Sequence, residues 1–351
     1  MTLSEEELIT NCKAILSDRN IRNRIVILCE GEVRDLLGSR SPSAYKEQYS
    51  RMEQYPDANF YKSCIPRWFP QPLPKFFNCG NQFDVIKTFF TLKNSYPDLY
   101  REIHQKDIRN PYLNPEKLFA IVDLDIQKKE IDDEDYNFAD TIEIYNDLYQ
   151  NFQVNEANAS NHRIWVTGLI HKEAYFLIPE LQSLFNEHPN KPTYKNNLLV
   201  LQDIYADMAD DLDRDLDIKE HLDIVSDRLA CCTGLDCSSV ESLKRSWKAE
   251  FSRAKDPHRK EKLTRALLTI KKAKVNNKKG EKDIKGYWNK IKFSRTEYDF
   301  DAERLDDNPD EHFRNKLSLT IGRQFYKQQT PDSKYHIPIF FKTLYNSTIT
   351  I

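Results

Sequence analysis

Three acidic residues in this sequence each follow a short apolar run, and together they could bind a divalent metal ion. Glu30 follows the apolar residues 25–29 and precedes Gly31, whereas Asp123 and Asp125 follow the apolar residues 118–122. Carboxylate oxygens are the ligands that Mg²⁺ and Mn²⁺ prefer in proteins. The pattern therefore predicts a Mg²⁺ or Mn²⁺ site formed by these three side chains.

The elements that must position these acids are two buried strands. Each apolar run is about five residues long and rich in Ile, Val, Leu or Phe, which is typical of a strand buried on both faces. The carboxyl ends of parallel strands lie at one edge of a sheet, where open α/β folds place their chemistry. On an extended chain Asp123 and Asp125 would face the same side, and Gly31 would allow a sharp turn after Glu30.

Further patterns place these strands in an α/β fold. Apolar segments at 76–79 and 162–168 read as two more strands, and helical patterns lie between the strands. This alternation predicts a mostly parallel sheet flanked by helices, followed by a mainly helical C-terminal region. We expect a catalytic domain over 1–185, with a Pro-rich insertion at about 39–75, and a C-terminal domain over 186–351.

The arrangement of the acids resembles the TOPRIM domain of topoisomerases, primases and OLD-like nucleases. In that resemblance, which covers about residues 20–180, Glu30 takes the place of the TOPRIM glutamate, and Asp123 and Asp125 that of its aspartate pair. Lys172 and Glu173 follow the 162–168 strand and match the basic residue and glutamate of the OLD-like branch. The resemblance implies a TOPRIM-like fold for the first domain.

The same resemblance implies metal-dependent cleavage of phosphodiester bonds. Glu30 or Glu173 would orient or deprotonate a water molecule, and Lys172 would steady the phosphate. The chain is similar to the TOPRIM subunit of the PARIS anti-phage system, which implies a toxin-like endonuclease acting on RNA, with tRNA among the candidates, or on DNA. No Gly-x-x-x-x-Gly-Lys-Ser/Thr loop occurs among the eight glycines. The resemblance also implies a separately encoded ATPase as a partner, and a second copy of the chain is a further expected partner.

Charge is unevenly distributed along the 351 residues, although the formal net charge is only −3. Residues 241–295 carry 19 Lys and Arg against 6 Asp and Glu, whereas residues 203–223 carry nine acids and two basic residues. The basic segment either binds nucleic acid or pairs with the acidic segment as a solvated helical face. The candidate nucleic-acid-binding lysines are Lys271, Lys272, Lys274, Lys278 and Lys279.

Composition favours a cytoplasmic protein without a membrane partner. The apolar runs fall far short of the roughly 20 residues that a membrane helix needs, and the N-terminus is acidic. Seven scattered cysteines indicate reduced thiols. Cys231, Cys232 and Cys237 lack the spacing of a zinc site.

Two other functions compete with a nuclease. A HAD-type phosphatase also places Asp-x-Asp after a buried strand, with Asp123 as the nucleophile, but Glu30 would then have no role. A non-catalytic TOPRIM-like module, which binds nucleic acid or regulates a partner, would carry degenerate metal ligands. Turnover of RNA, DNA or a phosphomonoester distinguishes these alternatives.

Overall fold

The computed structural model describes residues 2–31, 56–104, 112–273, 286–293 and 309–349. Residues 39–55 of the expected Pro-rich insertion lie outside the described residues, as do Lys274, Lys278 and Lys279. No described helix is both long and apolar enough to cross a membrane.

The chain divides into two compact units that do not follow the expected boundary at residue 185. The first, called the sheet unit, comprises Met1–Asp123, Lys129–Thr167 and Gly322–Ile351. The second, called the helical unit, comprises Leu124–Lys128 and Gly168–Ile321. The division thus passes between Asp123 and Asp125, and the last thirty residues group with the sheet.

A four-stranded parallel sheet is the centre of the sheet unit. Its strands lie in the order β2 (Lys75–Asn78), β1 (Val26–Cys29), β3 (Leu118–Val122) and β6 (Ile164–Val166). Strands β1 and β3 are neighbours in the register Cys29↔Ile121. Every residue of β1 and β3 is buried, which explains why both read as continuous apolar runs. The predicted parallel sheet is confirmed. Two short strands of this unit, β4 (Tyr149–Gln150) and β5 (Gln153–Val154), form a separate antiparallel pair.

Helices flank this sheet, and their first turns follow the capping rules. Ser4 and Glu7 form a reciprocal capping box at the start of the helix Glu5–Ser17. Asn81 and Asp84 do the same at the start of the helix Gln82–His104, because the side chain of each accepts a hydrogen bond from the backbone N–H of the other. Besides the C-terminal helix His336–Ile349, the helices that begin in this unit are α1 (Glu5–Ser17), α2 (Pro56–Ser63), α3 (Gln82–His104), α4 (Thr141–Leu148) and α5 (Glu156–Ala159).

The helical unit confirms the expected helix-rich C-terminal region. It also contains a small antiparallel sheet of order β8-β7-β9, formed by β7 (Pro192–Tyr194), β8 (Asn197–Leu198) and β9 (Lys292–Phe293). The remaining helices of the chain are α6 (Gln182–Glu187), α7 (Leu201–Asp210), α8 (Leu216–Glu220), α9 (Leu222–Leu229), α10 (Val240–Arg253), α11 (Pro257–Ile270), α12 (Pro309–Lys327) and α13 (His336–Ile349).

Helix α13 closes the hydrophobic core of the sheet unit with aromatic side chains. Phe340 meets Trp165 of β6 edge-on with 5.1 Å between ring centroids, and it also contacts Phe119 of β3. Phe341 contacts Phe76 of β2 in the same way. Edge-to-face pairs of this kind add to the free energy gained by burying the rings. The C-terminal helix is therefore part of the core that supports the strands.

His336 gives the sheet unit a predicted sensitivity to acid. Its side chain is fully buried against the Tyr61 ring, and burial lowers the pKa of the imidazole to about 3. Below about pH 6.5 this imidazole binds a proton in the unfolded chain but not in the folded chain. Acid therefore lowers the free energy of unfolding. We expect His336→Leu to flatten the loss of unfolding free energy between pH 7 and 5, measured by urea denaturation. His258→Leu, at an exposed histidine, is the control and should leave that slope unchanged.

Candidate active site at the carboxyl edge of the sheet

Glu30 and Asp123 meet at the carboxyl edge of the sheet. Each residue directly follows its strand, and β1 and β3 are parallel neighbours. The Glu30 Oε1 atom accepts a hydrogen bond of 2.6 Å from the backbone N–H of Asp123. Because the acceptor is a carboxylate, this is a charge-assisted hydrogen bond that fixes the first residue after β3. Two acids that lie 93 positions apart in sequence thus share one corner of the sheet unit.

Gln82, which no sequence motif marks, holds Asp123 from the other side. This first residue of α3 is 2% exposed, and its Nε2 donates a 2.6 Å hydrogen bond to the backbone carbonyl of Asp123. Its Oε1 is buried and has no hydrogen-bond partner among the described residues. The only sequence signal was position, since Gln82 follows the glycine turn after β2 and so reaches the same edge.

Two glycines pair with each other at this edge, Gly31 in the segment after β1 and Gly80 in the segment after β2. Gly31 and Gly80 exchange backbone hydrogen bonds of 2.9 Å in both directions. Gly80 has a φ of +93°, a conformation that glycine adopts without a steric penalty. A Cβ atom on Gly31 would lie only 2.6 Å from side-chain atoms of Asn78 and Asp57. The backbone after Glu30 therefore passes where only a glycine fits.

We expect Gly31→Ala to lower the free energy of unfolding by about 1 to 3 kcal/mol, because the new methyl group would overpack a filled site. Asn78 cannot move cheaply, since its Oδ1 accepts the Ala58 backbone N–H. Urea denaturation measures the change. A Gly31→Ala protein as stable as the wild type would show that the neighbouring side chains can adjust.

Asp125 does not continue the strand, contrary to the prediction from sequence. Strand β3 ends at Val122, and Asp125 has a left-handed φ of +36°. The residues on either side of this turn, Leu124 and Ile126, are 1% and 2% exposed and therefore buried. The prediction that the two aspartates lie on one side of an extended chain is therefore wrong.

Within the helical unit, the groups around Asp125 are basic. Its carboxylate lies 3.8 Å from the Lys272 ammonium, and its backbone carbonyl accepts a hydrogen bond from the buried guanidinium of Arg228. Burial by itself would lower the pKa of Lys272, but nearby aspartates, Asp125 first among them, raise it above its usual value. Arg228 was not identified from sequence, because nothing in its neighbourhood marks it as buried.

Glu173 and Lys172 form a buried network with His171 in the helical unit. The two carboxylate oxygens of Glu173 lie 3.0 Å from His171 Nδ1 and from the Lys172 ammonium. The other ring nitrogen of His171 accepts the Ala273 backbone N–H at 3.0 Å, which fixes the orientation of the imidazole. The 172–177 segment is a 3₁₀ helix rather than the opening of an α-helix. Glu173 is thus held between two nitrogen groups.

The basic and acidic segments pair with each other in the helical unit. Lys271 is 3% exposed and lies 2.5 Å from Asp215, whereas Lys272 lies 2.9 Å from Asp217. The burial of Lys271 argues against its predicted role as a surface cation for nucleic acid. Two other pairs of the same kind join Lys244 to Asp213 and Lys248 to Asp210.

The structure brings together only part of the predicted metal site. Glu30 and Asp123 are in contact within the sheet unit, whereas Asp125, Lys172 and Glu173 belong to the helical unit. Over the described residues, no three His, Cys, Asp or Glu side chains are grouped so as to share a metal ion. Comparison with family models, with curated proteins and with solved structures finds no match to this chain.

Proposed function

We propose that this chain is a nuclease of the TOPRIM type that hydrolyses phosphodiester bonds at the edge formed by Glu30 and Asp123. The observation that supports this proposal is the hydrogen bond from the Asp123 backbone N–H to Glu30. It joins the ends of two adjacent parallel strands at the edge where α/β sheets bind their ligands. The residue types and their order along the chain are those of the TOPRIM resemblance.

The donor chemistry at this edge fits Mg²⁺ or Mn²⁺. Glu30 and Asp123 supply carboxylate oxygens, and Gln82 adds an amide oxygen, all of which are hard ligands. We propose that Glu30 and Asp123 would hold the cation. When bound, a divalent cation supplies a Lewis acid that neutralises charge on the scissile phosphate.

The side chains have separate roles in the proposed reaction. Glu30 is the general base that takes a proton from the attacking water, since it is the half-buried carboxylate at the strand end. Gln82 and Glu30 hold the two backbone groups of Asp123 and so fix the backbone position from which that carboxylate extends.

The substrate proposal is nucleic acid, either RNA, including tRNA, or DNA. Lys271 and Lys272 of the helical unit give the nucleic-acid proposal little support, because both already pair with aspartates. It rests instead on the net basic character of residues 241–295 and on the resemblance. A role as effector of anti-phage defence, beside a separately encoded ATPase, is proposed on the resemblance alone.

A non-catalytic module is the second candidate. Asp125 has left-handed backbone geometry, and its carboxylate faces Lys272, as expected if this position no longer serves as a metal ligand. The phosphatase alternative has less support, because it gives no role to the Glu30 contact.

Incubation with labelled RNA, duplex DNA or p-nitrophenyl phosphate, each with Mg²⁺ and with Mn²⁺, tests the proposal. Cleavage of either polymer in the presence of a divalent cation supports the nuclease. Turnover of p-nitrophenyl phosphate alone would replace it with the phosphatase. Binding of a polymer without any turnover would replace it with the module.

A further inference from the structure

The Oε1 atom of Gln82 is an unexplained acceptor at the carboxyl edge of the sheet. The side chain is 98% buried, and within the described part of the chain this oxygen accepts no hydrogen bond. A buried acceptor without a partner costs about 1 to 3 kcal/mol in desolvation. An atom that carries such a cost calls for a partner that the described residues do not supply.

Exchanging the oxygen and nitrogen positions of the Gln82 amide does not give the buried oxygen a partner. The Nε2 atom donates to the Asp123 carbonyl oxygen at 2.6 Å, and a carbonyl oxygen can only accept. Exchanging the nitrogen and the oxygen would bring two acceptors into repulsive contact. The Asp123 carbonyl therefore fixes which end of the amide carries the oxygen.

The residues that Gln82 shares contacts with favour a cation as the missing partner. Gln82 Nε2 contacts the carbonyl of Asp123, while Glu30 contacts the N–H of the same residue. Asp123, which itself carries a carboxylate, is thus contacted by one further acid and by the amide whose oxygen lacks a partner. Hard oxygen donors with a net negative charge are the environment that Mg²⁺ and Mn²⁺ prefer.

Resting on the nuclease proposed above, we propose that Gln82 Oε1 is a ligand of the divalent cation, together with Glu30 and Asp123. Gln82 then supplies the oxygen that the sequence pattern assigned to Asp125. The contacts of Asp125 agree with this exchange, because its carboxylate faces Lys272 and its carbonyl is held by Arg228. All three ligands belong to the sheet unit.

Mn²⁺ binding to the full chain, measured by calorimetry and by the EPR signal of free Mn²⁺, tests this assignment without relying on activity. Gln82→Met removes the oxygen and the Nε2 donor, whereas Gln82→Glu removes only the donor and keeps an oxygen. We expect Gln82→Met to weaken Mn²⁺ binding at least about tenfold, and Gln82→Glu to bind at least as tightly as the wild type. Equal weakening in both variants would show that Gln82 only positions Asp123 and would overturn the assignment.

Gln182 provides a matched control in the helical unit. Its amide also clamps backbone, since Nε2 donates to the Leu199 carbonyl and Oε1 accepts the Leu201 N–H. Gln182→Met should lower stability and leave Mn²⁺ affinity unchanged. Equal loss of Mn²⁺ affinity in Gln82→Met and Gln182→Met would overturn the assignment, because it would reflect general destabilisation.

Glu30→Gln separates this inference from the proposed function. If Glu30→Gln abolishes Mn²⁺ binding and cleavage while Gln82→Met binds like the wild type, the Gln82 assignment fails and the nuclease stands. If the wild-type chain binds no Mn²⁺ and cleaves nothing, both fail.

Discussion

Glu30→Gln is expected to reduce metal-dependent cleavage of nucleic acid by at least about 100-fold, because it removes the proposed general base. The amide of glutamine can still accept the Asp123 backbone N–H, so the corner of the sheet should keep its shape. Single-turnover cleavage of labelled RNA and DNA at saturating Mg²⁺ or Mn²⁺ measures the effect. Asp123→Asn should cause a loss of the same order.

Glu6→Gln is the matched control for this experiment, since Glu6 is an exposed acid of α1. It should cleave at the wild-type rate. Full cleavage by both Glu30→Gln and Asp123→Asn would remove the proposed site altogether. Loss in Asp123→Asn alone, with turnover of p-nitrophenyl phosphate by the wild type, would instead support a phosphatase that uses Asp123 as its nucleophile.

Lys271→Met is expected to lower the free energy of unfolding by about 3 to 5 kcal/mol, because it leaves the Asp215 carboxylate buried without its cation. The two groups are 2.5 Å apart, and their side chains are only 4% and 13% exposed. Asp215 also caps α8 by accepting the Ile218 N–H, so it cannot swing freely into solvent. Urea denaturation monitored by circular dichroism measures the change.

Lys248→Met provides the comparison, because the Lys248–Asp210 pair is about half exposed on both sides. Exposed pairs contribute at most about 1 kcal/mol, so this variant should be nearly as stable as the wild type. Neither substitution should change the salt dependence of RNA binding, since both lysines already face aspartates. A Lys271→Met protein with wild-type stability but weaker RNA binding would restore Lys271 as a nucleic-acid contact.

The fold was largely predictable because its strands are buried on both faces. In β1 and β3 every side chain must be apolar, so the strands stand out as continuous runs between polar segments. Cap residues such as Ser4 and Asn81 are similarly visible, since a capping box involves positions only three residues apart. The assignment of residues 322–351 to the sheet unit has no such local signal, and it depends on where Phe340 and Phe341 find aromatic partners.

The candidate site was predictable only where a strand carried its residue to the sheet edge. Glu30 and Asp123 follow buried strands directly, so parallel pairing brings them to one edge wherever the intervening residues go. Asp125 lies three residues beyond Val122, the last residue of β3, and its left-handed backbone breaks the alternation of the strand. A spacing rule for extended chains fails as soon as the strand ends.

The sequence by itself determined the parallel sheet, the helix caps and the acidic pair at the strand ends, because each depends on neighbours close along the chain or on burial of a whole strand. Only the tertiary structure decided that Gln82 clamps Asp123, that Asp125 faces Lys272 and that Lys271 is buried against Asp215. These contacts join residues 41, 147 and 56 positions apart. Such contacts depend on how distant segments of the chain pack together, and a local sequence pattern does not contain that information.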